Sequence, residues 1–143
     1  MSKPVIADYP PPLPNPPSDG ITSLTFSHFS DGSPSQSNVL LSSSWDGTLR
    51  QYAKAPTDPS FECKTVQKAA DPGVPLLSAA FGTSTRFCYA GGLDGVLYQV
   101  DMERGVSTPV GRHEKAISAL VTCSTHDDEP EASPFFGVMA SGR

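Results

Sequence analysis

The amino-acid sequence predicts an all-β fold made of repeated antiparallel hairpins. The 143 residues include 15 prolines and 12 glycines, which leaves little room for long helices because each such residue inside a helix costs about 1 to 3 kcal/mol. Two Asp-Gly pairs each lie between runs of apolar and β-branched residues, a strong signal for a hairpin turn. A short apolar segment also recurs three times along the chain. Together these observations favour many short strands joined by turns.

Residues 1 to 18 form a proline-rich segment, which we expect to be an extended and disordered leader. Proline has no backbone N–H to donate, so a segment of this composition does not form a sheet ladder. The Pro-x-x-Pro spacing at residues 11 to 14 would suit the aromatic groove of a polyproline-binding module. A solvated leader is the favoured interpretation, because such spacings are common in proline-rich stretches. The seven prolines are Pro4, Pro10, Pro11, Pro12, Pro14, Pro16 and Pro17.

Two hairpins are predicted around Asp46 and Asp94. Residues 45 to 52 are Trp-Asp-Gly-Thr-Leu-Arg-Gln-Tyr, and residues 93 to 100 are Leu-Asp-Gly-Val-Leu-Tyr-Gln-Val. A shift of 48 residues superposes the Asp, Gly, Leu and Gln of the two segments. Glycine supplies the positive φ of such a turn, and aspartate bonds the turn backbone. Turn formation therefore explains both aspartates.

A second repeated element precedes each hairpin and occurs once more near the C-terminus. Its copies start at Ile21, Leu76 and Ile117, so they are 55 and 41 residues apart. A loop insertion at residues 31 to 37 accounts for the longer first separation. A period of ~40 to 45 residues with several strands per unit is typical of a β-propeller blade. We therefore predict a β-propeller in which every unit repeats the same strands.

The predicted propeller is truncated to about two and a half blades. Residues 19–66 form blade one, residues 67–112 form blade two, and residues 113–143 form an incomplete blade three. Closed propellers need ~4 to 8 blades, so we expect this chain to be a fragment of a longer architecture. The expected strands are near 21–28, 38–44, 47–53 and 61–66, near 74–81, 86–91, 95–101 and 106–111, and near 115–122 and 135–141.

Composition and charge favour protein partners. The chain has 15 acidic and 10 basic residues, a formal charge of −5, whereas a protein that binds the phosphate backbone needs a basic surface. We therefore expect no direct nucleic-acid binding. The sequence has neither an apolar span of ~18 residues nor a signal pattern, so we expect a soluble intracellular protein without membrane contact.

Metal, cofactor and disulfide chemistry are not indicated. Cys63, Cys88 and Cys123 are far apart and form no Cys-x-x-Cys pair, which supports neither a zinc site nor a disulfide framework. The three histidines show no ligand spacing with one another or with a cysteine. We expect no cofactor and no metal.

A competing hypothesis is an enzyme, for instance a hydrolase that uses Asp94 and His113. The sequence contains no nucleophile elbow, phosphate-binding loop or metal motif. We therefore predict no catalytic residue and a non-enzymatic binding module.

Four segments resemble a known family, in the order in which they occur. They are Asp-Gly-Ile-Thr-Ser-Leu-Thr-Phe-Ser at 19 to 27, Ser-Ser-Trp-Asp-Gly-Thr-Leu-Arg at 43 to 50, Gly-Gly-Leu-Asp-Gly at 91 to 95, and Val-Gly-Arg-His-Glu-Lys-Ala-Ile at 110 to 117. They resemble the N-terminal blades of the Bub-type (budding uninhibited by benzimidazole) WD-repeat proteins of the mitotic spindle checkpoint. The match runs from about residue 17 to the C-terminus, and Gly-Gly-Leu-Asp is its most discriminating part. In the family the Ser-Gly at 141 to 142 would continue as Ser-Trp-Asp, whereas here Arg143 follows, which again predicts a truncated chain.

The resemblance implies a seven-bladed propeller that acts as a protein-binding scaffold at kinetochores, in the nucleus, during mitosis. Its implied partners are peptide motifs of checkpoint kinases or pseudokinases, and kinetochore scaffold proteins. The WD-repeat messenger-RNA export factor that binds nucleoporins is the alternative, because it shares the fold and also grips a short peptide.

The resemblance also indicates where a partner peptide binds. In the family, the tryptophan that matches Trp45 lies near the face that receives the peptide, where a large ring can act as a binding hot spot. The other interpretation, in which Trp45 packs against the next blade, is held equally. The candidate partner-binding residues are Trp45, Asp46, Leu93 and Asp94.

Overall fold

The computed structural model describes residues 13–27, 39–54, 60–70, 73–123 and 135–139. These residues form ten β-strands and no helix. Expectations for residues 1–12, for the insertion at 31–37 and for residues 140–143 lie outside the described residues. The strands are β1 (Ile21–Phe26), β2 (Val39–Ser44), β3 (Thr48–Lys54), β4 (Phe61–Lys68), β5 (Leu76–Phe81), β6 (Phe87–Gly92), β7 (Val96–Asp101), β8 (Val106–Arg112), β9 (Ala119–Cys123) and β10 (Phe135–Met139).

The strands assemble into two four-stranded antiparallel sheets and one antiparallel pair. Sheet 1 has the order β1-β2-β3-β4, sheet 2 has the order β5-β6-β7-β8, and β9 pairs with β10. The all-β prediction is confirmed, and each sheet contains the four strands expected for one repeat. In the part of the chain that the structure describes, the sheets are open and do not close into a ring.

The strand ends differ from the predicted ones by a few residues. Strand β4 continues beyond residue 66, and its Lys68 pairs with Thr48 of β3. Strand β9 begins at Ala119 instead of near 115. The stretch before β9 lies beside the second hairpin, where the amide of Ile117 donates to the carbonyl of Gly92 at 3.0 Å. The amide of Ile117 is therefore satisfied by the neighbouring turn and not by a strand partner.

Both predicted Asp-Gly hairpins are present. The first joins β2 to β3 and the second joins β6 to β7. Gly47 has φ +82° and Gly95 has φ +73°, a backbone conformation that glycine adopts without the steric cost of a side chain. Oδ1 of Asp46 accepts from the Thr48 amide at 2.9 Å, and the same atom of Asp94 accepts from the Val96 amide at 3.1 Å. The aspartate thus closes each turn two residues ahead.

The two four-stranded sheets pack face to face across the principal core. Alternation along each strand sends one set of apolar side chains toward the other sheet. Burying such side chains contributes about 1.5 to 3 kcal/mol each for the larger ones. Sheet 1 and its end supply Leu41, Leu49 and Ala69, and sheet 2 and its adjoining residues supply Leu76, Ala79, Phe81, Cys88, Ala90, Val100 and Met102.

Hydrogen bonds also cross between the two sheets. The Thr22 hydroxyl donates to the carbonyl of Leu76 at 2.8 Å, and the Thr65 hydroxyl donates to the carbonyl of Met102 at 3.2 Å. Between them, the Gln51 amide donates to the sulfur of Cys88 at 3.4 Å. These directional bonds fix the relative position of two surfaces that apolar contact alone would let slide.

Strand β9 covers the opposite face of sheet 2. Ile117 and Leu120 pack there against Tyr89 and Leu97. The amide of Leu120 donates to the hydroxyl of Ser78 on β5 at 3.0 Å. Strand β5 therefore lies between sheet 1 on one side and β9 on the other, so that this part of sheet 2 is covered on both faces.

We expect two glycine substitutions near the second turn to differ sharply in their effect on the free energy of unfolding. A Cβ at Gly95 would meet the carbonyl oxygens of His113 and Lys115 in a backbone of positive φ. We expect Gly95→Ala to lower the free energy of unfolding by about 2 to 3 kcal/mol. The matched change Gly111→Ala meets only the Leu97 side chain, at 3.7 Å, and should alter stability by less than about 0.5 kcal/mol. Urea unfolding of both variants is the measurement, and equal losses would contradict the prediction.

Candidate functional site

The four sequence-predicted residues lie at one edge of the two sheets, which we call the turn edge (Trp45, Asp46, Leu93 and Asp94). The segment that leads into β5 joins the two turns. Its Val74 lies against the first turn, 3.0 Å from where a Cβ of Gly47 would be. Its Pro75 carbonyl accepts from the amide of Leu93 at 3.1 Å. The two matched turns are therefore neighbours, with a single short segment between them.

The apolar members of the turn edge face solvent. Trp45 is 44% exposed and Leu93 is 48% exposed. The two residues occupy the same position in their hairpins, immediately before Asp-Gly. Large apolar side chains that remain exposed together mark candidate interaction surfaces. The structure therefore favours a solvent-facing position for Trp45 over burial against the next repeat.

The carboxylate of Asp46 is occupied by bonds within the chain. Its Oδ1 accepts from both the amide and the hydroxyl of Thr48, the latter at 2.5 Å. Its Oδ2 accepts from the amide of Ser18 at 3.0 Å and from the Ser18 hydroxyl at 3.3 Å. The guanidinium of Arg50 lies 3.4 Å from the same oxygen. Asp46 thus joins the turn to β3 and to the residues before β1.

These contacts favour the ionised form of Asp46. Burial by itself would raise the pKa of this carboxyl, but the hydrogen bonds from Thr48 and Ser18 and the charge of Arg50 outweigh it and lower the pKa to about 2. The carboxylate is therefore charged at every physiological pH. Asp46 acts as an electrostatic anchor of the first turn.

Asp94 has different partners in the second turn. Its Oδ2 accepts from the hydroxyl of Tyr98 at 2.6 Å, so that Tyr98 takes the place that Arg50 has in the first turn. Burial, together with this bond to a carboxylate, raises the pKa of Tyr98 to about 12. Both aspartates are thus held inside the fold, and Trp45 and Leu93 supply the contact surface.

Behind the first turn, Asp46 is joined by two polar residues that the sequence did not single out, Arg50 and Tyr52. We call Asp46, Arg50 and Tyr52 the clamp. Nε of Arg50 donates to the carbonyl of Asn15 at 3.0 Å, and the Tyr52 hydroxyl donates to the same oxygen at 3.3 Å. The expected disordered leader includes Asn15 and Ser18, which here contact the clamp. One feature of the sequence could have indicated the clamp, namely an arginine within an otherwise uncharged stretch of β3. A buried charge requires partners, so Arg50 was a candidate for contacts with another segment.

The side chains of Asp94 and His113, the pair named in the hydrolase hypothesis, bond to other groups and not to each other. His113 accepts the amide of Lys115 on its Nδ1 at 3.1 Å, whereas Asp94 accepts from Val96 and Tyr98. Within the described ranges, no three His, Cys, Asp or Glu residues are grouped so that they could hold a metal ion. Cys63 and Cys88 are free thiols, and burial raises the pKa of the Cys88 thiol to about 12.

No protein-family model matches the chain. Among the described residues, no helix is long and apolar enough to cross a membrane. The function is therefore inferred from the turn edge itself.

The low pKa of Asp46 predicts how stability varies with pH. A folded-state pKa of about 2, below the usual 3.8, means that the carboxylate stabilises the fold above about pH 4 and loses this effect as the pH falls toward 2. We expect Asp46→Asn to lower the free energy of unfolding by about 2 kcal/mol at pH 7. The difference from wild type should shrink below pH 4 and vanish near pH 2.

Urea unfolding between pH 2 and pH 7 measures this difference. The control is Glu62→Gln, which removes an exposed ion pair with Lys64 and should cost less than about 1 kcal/mol. A loss for Asp46→Asn that is the same at every pH would contradict the electrostatic role.

Proposed function

We propose that this chain is a non-enzymatic protein-binding module of the Bub-type WD-repeat class. In this proposal it binds short peptide motifs of checkpoint kinases or pseudokinases, in the nucleus and at kinetochores, together with kinetochore scaffold proteins. The exposed pair Trp45 and Leu93 on adjacent, matched turns is the observation that carries the proposal. A peptide lying across both turns would contact one large apolar side chain from each repeat.

The architecture supports a propeller-like arrangement of the repeats. Each four-stranded sheet is a meander in which sequence neighbours pair, and the sheets pack face to face. Propeller blades have this strand order and this mode of stacking. Sheet 1 and sheet 2 then correspond to the first two blades, and β9 with β10 begins a third.

The chemistry of the turn edge supports peptide recognition over catalysis. The two carboxylates are engaged by Thr48 and Ser18 in one turn and by Val96 and Tyr98 in the other. A general acid or base needs a proton partner within reach of a substrate. Trp45 and Leu93 instead offer apolar surface, and tryptophan is enriched among binding hot spots.

Affinity purification from mitotic cells distinguishes the proposed function from the export-factor alternative. A tagged chain that enriches checkpoint kinases and lies at kinetochores supports the proposal. A tagged chain that enriches nucleoporins and lies at the nuclear envelope supports the messenger-RNA export factor. In both cases, a chain carrying Trp45→Ala should lose the specific partners.

Substitution of Trp45 tests the turn edge directly. We expect Trp45→Ala to weaken partner-peptide binding by about 2 kcal/mol, roughly thirtyfold, because a hot-spot ring loses its contacts. Because the Trp45 side chain is exposed, we expect this substitution to change the free energy of unfolding little. Leu93→Ala should reduce affinity in the same direction but less.

Isothermal calorimetry measures these affinities. Val106→Ala is the matched control, since Val106 is 54% exposed and pairs with Asp101 at the opposite end of sheet 2. Unchanged affinity for Trp45→Ala, or an equal loss for Val106→Ala, would remove the turn edge from the binding surface.

A further inference from the structure

One face of sheet 1 points away from sheet 2 and is crossed by a row of aligned residues. The strand register places Leu40 opposite Phe26 and Tyr52 opposite Leu40, and it places Cys63 opposite Tyr52. Arg50 shares this face because it lies two residues before Tyr52 on the same strand. The neighbouring residue Leu41 points the other way, into the core between the sheets.

The corresponding row of sheet 2 is buried by sheet 1. The row consists of Phe81, Cys88, Val100 and Ser107 in register. The first three belong to the core between the sheets, and Phe81 is only 6% exposed. In this repeat, the outward row of one sheet is thus the surface on which the preceding sheet packs.

In sheet 1, residues 13 to 18 lie where the preceding sheet would be. They contact the β3 and β4 side of the row: the Asn15 carbonyl accepts from Arg50 and Tyr52, and the Asn15 amide group donates weakly to the Cys63 sulfur at 3.8 Å. Tyr52 is fully buried, whereas Phe26 at the other end of the row is 48% exposed. A short strap therefore covers half of the face.

The clamp recognises this strap mainly through backbone atoms. Arg50 and Tyr52 donate to one carbonyl, and three residues later Asp46 accepts from the amide and the hydroxyl of Ser18. Pro16 and Pro17 lie between the two anchor points, and their fixed φ sets the spacing. The pattern requires only a free carbonyl, two prolines and a serine, so another segment with this pattern could satisfy it.

The backbone of the strap turns at Asn15, the residue whose carbonyl the clamp contacts. Asn15 has φ +49°, the one positive φ of a non-glycine residue among those described. Asparagine adopts this region more readily than other non-glycine residues, so the turn at Asn15 costs little strain. Most of the strap also remains accessible, since Pro14, Asn15, Pro16 and Ser18 are exposed. The strap is therefore held by a few specific bonds and not by deep burial.

We propose that the clamp is a peptide-binding site that residues 13 to 18 occupy in cis, and that it binds an extended peptide with the pattern carbonyl-Pro-Pro-Ser in trans when the strap withdraws. This site shares Asp46 with the turn edge, but it does not depend on the function proposed for Trp45 and Leu93. A tethered segment competes at a high effective concentration, so the intact strap keeps the site closed to free peptide.

The test uses a fluorescent peptide with the sequence of residues 13 to 20. It is titrated by fluorescence anisotropy against the wild-type chain and against a full-length variant whose residues 13 to 18 are all replaced by glycine. We expect the variant to bind the peptide at least tenfold more tightly than the wild type does. A peptide carrying Ser18→Pro, which removes both donors to Asp46, should bind the variant at least tenfold more weakly than the unmodified peptide.

Further measurements keep the proposal falsifiable. The single variant Ser18→Pro in the full chain should also open the site, with at least threefold tighter peptide binding than wild type. Adding Val106→Ala, which lies at the end of sheet 2 opposite the two turns, to the glycine variant should leave this binding unchanged. Lack of binding to either opened variant, or equal binding of the two peptides, would overturn the proposal. Loss of β-sheet circular dichroism in both opened variants would overturn it as well, because the strap would then be an integral part of the fold.

Discussion

Burial of the face between the two four-stranded sheets is the constraint on which the other features depend. Leu41, Leu49 and Leu76 are fully buried there, and each contributes about 1.5 to 3 kcal/mol. The packing brings the start of β5 against the end of sheet 1. This contact places Val74 and Pro75 between the two hairpin turns. The relative position of Trp45 and Leu93 is therefore a result of core packing, although neither side chain belongs to the core.

In both matched turns, the polar residue and the apolar residue have different roles. In each turn the aspartate closes the hairpin, and the residue before it presents apolar surface to solvent. The side-chain partners differ, because Asp46 bonds to Thr48 and Ser18 whereas Asp94 bonds to Tyr98. Among the described residues, the carboxylate of Asp46 thereby reaches the residues before β1, whereas the carboxylate of Asp94 bonds within its own hairpin.

Sequence reasoning succeeded where the determining interactions are local. An Asp-Gly pair bonds its own turn, so both hairpins and nearly all strand positions could be predicted. The clamp could not, because Arg50 and Asn15 are 35 residues apart and meet at a backbone carbonyl, which every residue possesses. For residues 13 to 18, proline content correctly excluded a strand, but it carried no information about what the carbonyl and amide groups would meet. The residues just before β9 are a similar case, because the amide of Ile117 bonds to the carbonyl of Gly92, which also accepts from the amide of Gly95.

The position of Cys88 gives the chain an internal reporter of sheet separation. Its sulfur is fully buried in the core and accepts from Gln51 of the facing sheet, and burial holds the pKa of its thiol near 12. The thiolate is the form of cysteine that attacks an alkylating reagent. Because Cys88 is buried and its thiol stays protonated, it reacts only while the two sheets are apart. Where the sheets reclose faster than the reagent acts, the alkylation rate of Cys88 is proportional to the population of the opened state. The alkylation rate of Cys88 therefore measures how often the two sheets separate, and no introduced label is needed.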